Sequence, residues 1–185
     1  RMCYVRKTAE EAEKEGGVKS LAFWMDTARQ AKEAGTVFPL LTGGEVFLYP
    51  HIRELYEAMC KMGMQVSINT NASCITEEIA KWLKQMPPVR INITLYGGSN
   101  ESYGRLCGDP HGFDKVRRSV KLLAENGIRF QFNCSLTPDN GADLEQMSDF
   151  AREYGLGLRL ATYMFPPVRR TGQTGDFEGR FTPKE

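Results

Sequence analysis

The chain has 185 residues, 41% of them hydrophobic, which is the content of an ordinary globular domain with one substantial core. Its 24 Lys and Arg nearly cancel 23 Asp and Glu, so there is no basic field to attract nucleic acid or anionic lipid. No apolar run approaches the roughly 20 residues that span a bilayer, and the start Arg1-Met2-Cys3-Tyr4 has no signal-peptide core. These features describe a cytoplasmic protein without a membrane partner, whose function lies in a site.

The charged stretch 8–16 and the amphipathic stretch 18–34 predict helices, the second closed by Gly35. Residues 37–41 form a short apolar run, a predicted strand, that leads into Thr42-Gly43-Gly44-Glu45; a helix over 52–62 follows and stops at Gly63. The strand-then-helix unit recurs as 65–71 with 76–85, as 89–96 with 113–126, and as 128–136 with 143–154. A further strand is predicted over 158–163. Strands that alternate with helices of ten or more residues imply right-handed crossovers and a parallel sheet, closed as a barrel or open and doubly wound. The Pro-, Gly- and Arg-rich tail reads as an exposed linker, giving a core over 1–165 and a linker over 166–185.

Three of the strands alternate strictly, unlike the all-apolar strands of a sheet buried on both faces. Val66 and Ile68 interleave with Ser67, Asn69 and Asn71; Ile91, Ile93 and Leu95 with Asn92, Thr94 and Tyr96; Phe130, Phe132 and Cys134 with Gln131, Asn133 and Ser135. With helices over the apolar face, the three polar faces converge on one cavity. That many amides and hydroxyls need water or a polar ligand there. The alternative, an antiparallel sheet with one solvated face, conflicts with the helical crossovers.

Thr42-Gly43-Gly44-Glu45 sits where a strand meets a helix, at the carboxyl end of the sheet where such folds bind ligands. Its glycines admit a ligand close to the backbone, and its carboxylate can accept from an ammonium group; by itself the tetrapeptide also suits a tight turn with a solvated glutamate. Five cysteines, at positions 3, 60, 74, 107 and 134, include no CxxC pair and are odd in number, so they read as reduced thiols. His51 and His111 have no partner at metal-ligand spacing, and Arg169 and Arg170 read as part of the solvated linker.

The ordered set of Cys3 followed by an aromatic residue, Gly43-Gly44-Glu45, Asn69-Thr70-Asn71 and Ile93-Thr94-Leu95-Tyr96-Gly97 resembles the radical S-adenosylmethionine superfamily over nearly the whole chain. The stretch 95–103, with Leu106-Cys107-Gly108 and Gly112-Phe113, is similar to the branch whose members carry a C-terminal cysteine-rich SPASM extension for auxiliary clusters, peptide-modifying enzymes among them. The resemblance implies an α/β fold, a partial (β/α) barrel with a parallel sheet and helices outside, here with the first strand missing.

It also implies a [4Fe-4S] cluster, with Cys3 as the third ligand of the CxxxCxxC pattern, and S-adenosylmethionine. The cluster would pass an electron to the sulfonium and release a 5'-deoxyadenosyl radical that abstracts hydrogen from a small-molecule or peptide substrate. The reductant would be a flavodoxin or ferredoxin. By position, Met2 would lie against the nucleoside, and Gly43, Gly44 and Glu45 would hold the methionine amino group. Thr94 and Asn133 would meet the sugar and carboxylate, and Met164 the adenine. Thr70 matches a family position too, although strand parity turns Asn69 and Asn71 inward instead. Leu40, Val46 and Tyr96 depart from the arginine, proline and aspartate common in the family. With one of three cluster cysteines present, the chain is expected to be a fragment of a core domain, inactive as it stands. Two rival readings are a metal-independent barrel enzyme that uses the GGE turn for a phosphate or amine, and a non-catalytic barrel that serves as a binding domain.

Overall fold

In the computed structural model, residues 9–14, 16–162 and 181 are described. Five strands, β1 (Leu40–Leu41), β2 (Ser67–Thr70), β3 (Arg90–Leu95), β4 (Phe130–Ser135) and β5 (Leu158–Ala161), form one sheet in chain order. Every neighbouring pair is parallel. The helices are α1 (Ala9–Lys14), α2 (Leu21–Glu33), α3 (Ile52–Lys61), α4 (Glu77–Gln85), α5 (Asn100–Cys107), α6 (Gly112–Glu125) and α7 (Leu144–Arg152). None of the described helices is long and apolar enough to cross a membrane.

Local chemistry sets the helix ends. The Ser20, Thr76 and Ser99 hydroxyls accept from the N–H groups of Phe23, Ile79 and Ser102, satisfying donors that a helix start leaves without partners. At the other ends, Gly63 and Gly127 take left-handed φ values of +78° and +68°. There the next N–H turns back, Met64 to the Met59 carbonyl and Ile128 to the Leu123 carbonyl, before the chain enters β2 and β4. A side chain at either glycine would be strained, so each glycine fixes where its helix stops.

The alternation predicted for the strands is present. Ile68, Ile91, Ile93 and Phe132 are fully buried on the face that carries the helices, together with Tyr56, Leu83, Val116, Val120, Leu123 and Met147. Phe132 meets Phe150 of α7 with ring centroids 5.3 Å apart. Each such side chain contributes about 1.5–3 kcal/mol by leaving water. The opposite face is polar and bonded across strands: Asn92 Nδ2 donates to Asn69 Oδ1 at 2.6 Å, and Gln131 Nε2 and Arg90 Nε donate to Asn92 Oδ1 at 2.7 and 2.9 Å. The register places Asn69 beside Asn92 and Asn92 beside Gln131, and one rank further on sets Thr94 beside Asn133. Ser67, Thr94 and Asn133 therefore share the polar face, as the alternation required.

The structure departs from the sequence reading in four places. The strand predicted over 37–41 contributes only Leu40 and Leu41 to the ladder, with the Val37 and Pro39 carbonyls accepting from Gln65 and Ser67 before it. Pro39 has no N–H to donate, which shortens the regular pairing. Among the described residues β1 is a sheet edge, with Phe38 and Leu40 exposed beside it. The helix predicted from residue 18 begins at Leu21. Residues 100–107, not predicted as helical, form α5. Finally, Phe181, within the stretch read as an exposed linker, is half-buried against the core.

The loop after β4 is fastened by Asn140, which is fully buried. Its Nδ2 donates to the carbonyls of Tyr96 at 3.0 Å and Ser135 at 3.1 Å, and its Oδ1 accepts from the Thr137 N–H at 2.8 Å, so one side chain ties the ends of β3 and β4 together. Beside it, Asp143 Oδ2 accepts from the Gly98 N–H at 2.7 Å. Orphaning a buried polar group costs about 1–3 kcal/mol. Asn140→Ala should therefore lower the unfolding free energy by about 2 kcal/mol or more, read as a lower denaturant midpoint at unchanged slope.

Candidate functional site

Four loops leave the carboxyl ends of β1 to β4 on one side of the sheet: Thr42–Glu45, Asn71–Cys74, Tyr96–Gly98 and Leu136–Asp143. The first is open. Neither Gly43 nor Gly44 has a positive φ, and a Cβ built at either meets no atom within 4 Å. Backbone conformation and packing therefore do not account for glycine at these positions. The two glycines leave open space beside the main chain.

Glu45 is anchored as well as exposed to that space. Its side chain caps the short 3-10 turn Val46–Leu48, Oε1 accepting from the Phe47 N–H at 3.2 Å. Oε1 also accepts from the Thr70 hydroxyl at 2.7 Å, and Oε2 accepts from the Asn71 N–H at 2.8 Å. A carboxylate offers about four acceptor positions. Among the described residues three donors engage them, two on Oε1 and one on Oε2. The carboxylate thus joins the β1 loop to the end of β2 and retains capacity for one further donor.

Thr70 is buried, and its side chain is turned to Glu45 and away from the polar face; parity sends it there, since Thr70 lies in register with the core residue Ile93. Asn71 is half-buried, its Oδ1 accepting from the Ser73 N–H at 2.8 Å. Thr94 and Asn133 lie side by side in register, each half-buried, and among the described residues neither side chain makes a hydrogen bond. They form a free pair of polar groups above the bonded rank of Asn69, Asn92 and Gln131. Of the remaining sequence candidates, Met2, Cys3 and Met164 lie outside the described residues. The three departures from the family pattern are accommodated: Leu40 is exposed on the polar face, Val46 is buried in the 3-10 turn, and Tyr96 meets Tyr103 edge-on.

One feature was not visible in the sequence reading. Arg159 lies in register with Asn133 on the polar face, and together with Arg90, Arg129 and Gln131 it lines a cavity of about 710 Å³ at the amino-terminal ends of the strands, opposite the GGE loop. The period-2 pattern of Leu158-Arg159-Leu160 carried the signal for Arg159. The histidines are surface groups that each precede a helix, His51 before α3 with Nδ1 3.4 Å from Glu54 Oε1, and His111 before α6.

The described cysteines are dispersed. Cys60 is half-buried on α3 and Cys74 half-buried in the β2 loop; Cys107 is exposed at the end of α5, and Cys134 is buried on the helix-covered face. Among the described residues no three or more His, Cys, Asp or Glu side chains gather as metal ligands would. Burial pushes the Cys134 thiol up to about 11 and raises that of Cys60.

The carboxyl ends of the strands in this parallel α/β half-barrel thus carry an open glycine turn, an anchored glutamate and a Thr–Asn pair without side-chain hydrogen bonds among the described residues. The sequence matches the radical SAM superfamily over residues 1–151, and the chain belongs to that superfamily. It is 25% identical over 154 residues to the antilisterial bacteriocin subtilosin biosynthesis protein AlbA of Bacillus subtilis, covering 83% of this chain and 34% of AlbA. It is 30% identical over 135 residues to the mycofactocin maturase MftC of Mycobacterium tuberculosis, covering 72% of this chain and 34% of MftC.

Among solved structures, Streptococcus suis SuiB bound to S-adenosylmethionine matches with a TM-score of 0.65 at 25% identity, covering 79% of this chain and 34% of SuiB. The same protein bound to precursor peptide SuiA matches with a TM-score of 0.70 at 23% identity, covering 88% of this chain and 36% of SuiB. The chain thus spans about a third of the length of these relatives.

The thiol environments give a direct check on this arrangement. Treated with iodoacetamide at pH 8 in the native state, the exposed Cys107 should be alkylated well before Cys134, because burial raises both thiols but Cys134 is also shielded from the reagent and almost wholly protonated there. Mass mapping of the modified peptides over time gives the order, and early labelling of Cys134 would contradict the packing of β4 against α7.

Proposed function

We propose that this chain forms most of the catalytic core of a radical S-adenosylmethionine enzyme of the SPASM-bearing branch, acting on a peptide or protein. The observation that carries the reading is the Gly43-Gly44-Glu45 turn, whose glycines the fold does not require and whose carboxylate has an acceptor to spare. Glu45 would accept from the methionine ammonium, with Gly43 and Gly44 giving it close backbone approach. Thr94 and Asn133 would bond the ribose and carboxylate, Asn71 closes the rim beside them, and Met2 and Met164 would flank the nucleoside. Thr70 would serve the same site. Cys3 would supply one thiolate to a [4Fe-4S] cluster, the ligand type that iron of this kind requires.

When bound, these groups supply reductive cleavage of a carbon–sulfur bond and a 5'-deoxyadenosyl radical that takes a hydrogen atom from substrate, with a flavodoxin or ferredoxin as electron donor. This domain's own side chains would orient the methionine end of the cofactor through polar contacts at the open carboxyl ends of the strands. A peptide substrate is supported by relatives named for bacteriocin biosynthesis and by the similarity to SuiB, a structure of which holds a precursor peptide.

In the full-length protein, Glu45→Ala should weaken S-adenosylmethionine binding by about 10- to 150-fold, the equivalent of the roughly 1.5–3 kcal/mol carried by a hydrogen bond to a charged group. Calorimetry measures it, and unchanged affinity would remove Glu45 from the site. Ligand counting gives a second expectation. The 185-residue chain by itself should hold no [4Fe-4S] cluster after anaerobic reconstitution, since Cys3 and Cys74 are the most that could meet at the carboxyl ends of the strands. Close to four irons per chain in metal analysis would disprove the assignment of Cys3 as third ligand.

A further inference from the structure

Family likeness alone would make Thr70 a direct contact of the cofactor. The geometry gives it a different task. Thr70 Oγ1 lies 2.9 Å from the Ala72 N–H and 2.7 Å from Glu45 Oε1. An amide N–H can only donate, so the hydroxyl must accept from Ala72, and its single proton is left for the Glu45 carboxylate. The direction of both bonds is therefore fixed by the backbone. Thr70 is 4% exposed and points into the body of the domain, in register with Ile93, so its hydroxyl has no route to the open side of the loops.

Ala72 explains why that hydroxyl is present. It is a non-glycine residue at a left-handed φ of +59°, fully buried, and the only non-glycine residue among those described with a positive φ. A residue with a Cβ is disfavoured in this conformation, which persists only where its surroundings hold it. Here the Thr70 hydroxyl holds its N–H, and the bend it makes brings the Asn71 N–H onto Glu45 Oε2. The sequence Thr70-Asn71-Ala72 thus delivers two donors to one carboxylate from a single turn.

We infer that Thr70 is a positioning residue for the cofactor's amino group: it orients Glu45, through a hydroxyl locked by the Ala72 N–H, so that the vacant acceptor on Oε2 is held ready for an ammonium, while Thr70 itself touches no ligand. This rests on the reading of Glu45 as the amino-group acceptor. Without Thr70 the carboxylate loses the shortest of its three bonds and keeps the 3.2 Å bond from Phe47 on Oε1 and the 2.8 Å bond from Asn71 on Oε2, so its last torsion is held less tightly.

The test compares S-adenosylhomocysteine with its analogue lacking the α-amino group, by calorimetry on the full-length protein and its Thr70→Val and Thr70→Ser variants. Thr70→Val should weaken S-adenosylhomocysteine by about five- to twentyfold, less than the loss of a direct hydrogen bond to a charged group because the effect passes through Glu45, and leave the desamino analogue within about twofold. Thr70→Ser, which keeps the hydroxyl, should restore binding to within about twofold of wild type. Equal weakening of both ligands by Thr70→Val would overturn the inference in favour of a direct contact or a general loosening of the site. So would no weakening of either. A wild-type protein that binds neither ligand, or binds both equally, would instead overturn the reading of Glu45, and the inference with it.

Discussion

The structure depends on how a parallel sheet pays for a polar inner face. Asn92 is the centre of the solution, because its amide donates to Asn69 on one neighbouring strand and accepts from Gln131 on the other, with Arg90 completing its oxygen. Buried amides without partners would each cost a few kcal/mol, so this rank of side chains has to be bonded across strands, and it fixes their register more tightly than the backbone ladder alone. One rank nearer the carboxyl ends the same alternation continues with Thr94 and Asn133, and there the cross-strand bonding stops. The sheet is thus divided by height into a part that satisfies itself and a part that awaits something else.

The ligand side is built by the same economy of donors. Glu45 could have been a solvated residue of a tight turn; instead it takes three hydrogen bonds from three different residues and links the loops after β1 and β2. Anchoring a carboxylate this way removes most of its freedom before any ligand arrives, which is how a site avoids spending binding energy on order. The strain at Ala72 stands next to this carboxylate and nowhere else among the described non-glycine residues.

Much of this was legible in the sequence, for reasons that can be assigned. Polar and apolar residues alternate in residues 65–71, 89–96 and 128–136, and since side chains change face at every step, the pattern alone named the inner-face residues and the parallel order followed from the helices between. The position of Thr94 and Asn133 was legible for the same reason, whereas the GGE turn, ambiguous by itself, drew its meaning from the family resemblance. The helix α5 was not, because Gly104 sits inside it and Ser99-Asn100 before it reads as turn chemistry; its burial of Tyr103 and Leu106 against the core outweighs those local preferences. Asn140 lies in Thr137-Pro138-Asp139-Asn140-Gly141, a turn by every local sign, and nothing in that string says that its asparagine is buried and spans two strands. Nor can periodicity tell that Thr70, facing away from the cavity, ends on Glu45: parity gives the face of a side chain, never the partner that a loop 25 residues upstream brings to it.

A sheet whose spatial order is its chain order has a consequence for synthesis. Each βα unit finds its docking surface in the unit made just before it, so a chain emerging from the ribosome can bury β2 on β1, then β3 on β2, without holding any hydrophobic strand open for a partner still to be made. At any moment the unpaired edges are β1 and the strand made last. Among the described residues the last strand is β5, whose exposed Leu160 stands at an edge where backbone donors and acceptors are open to pairing.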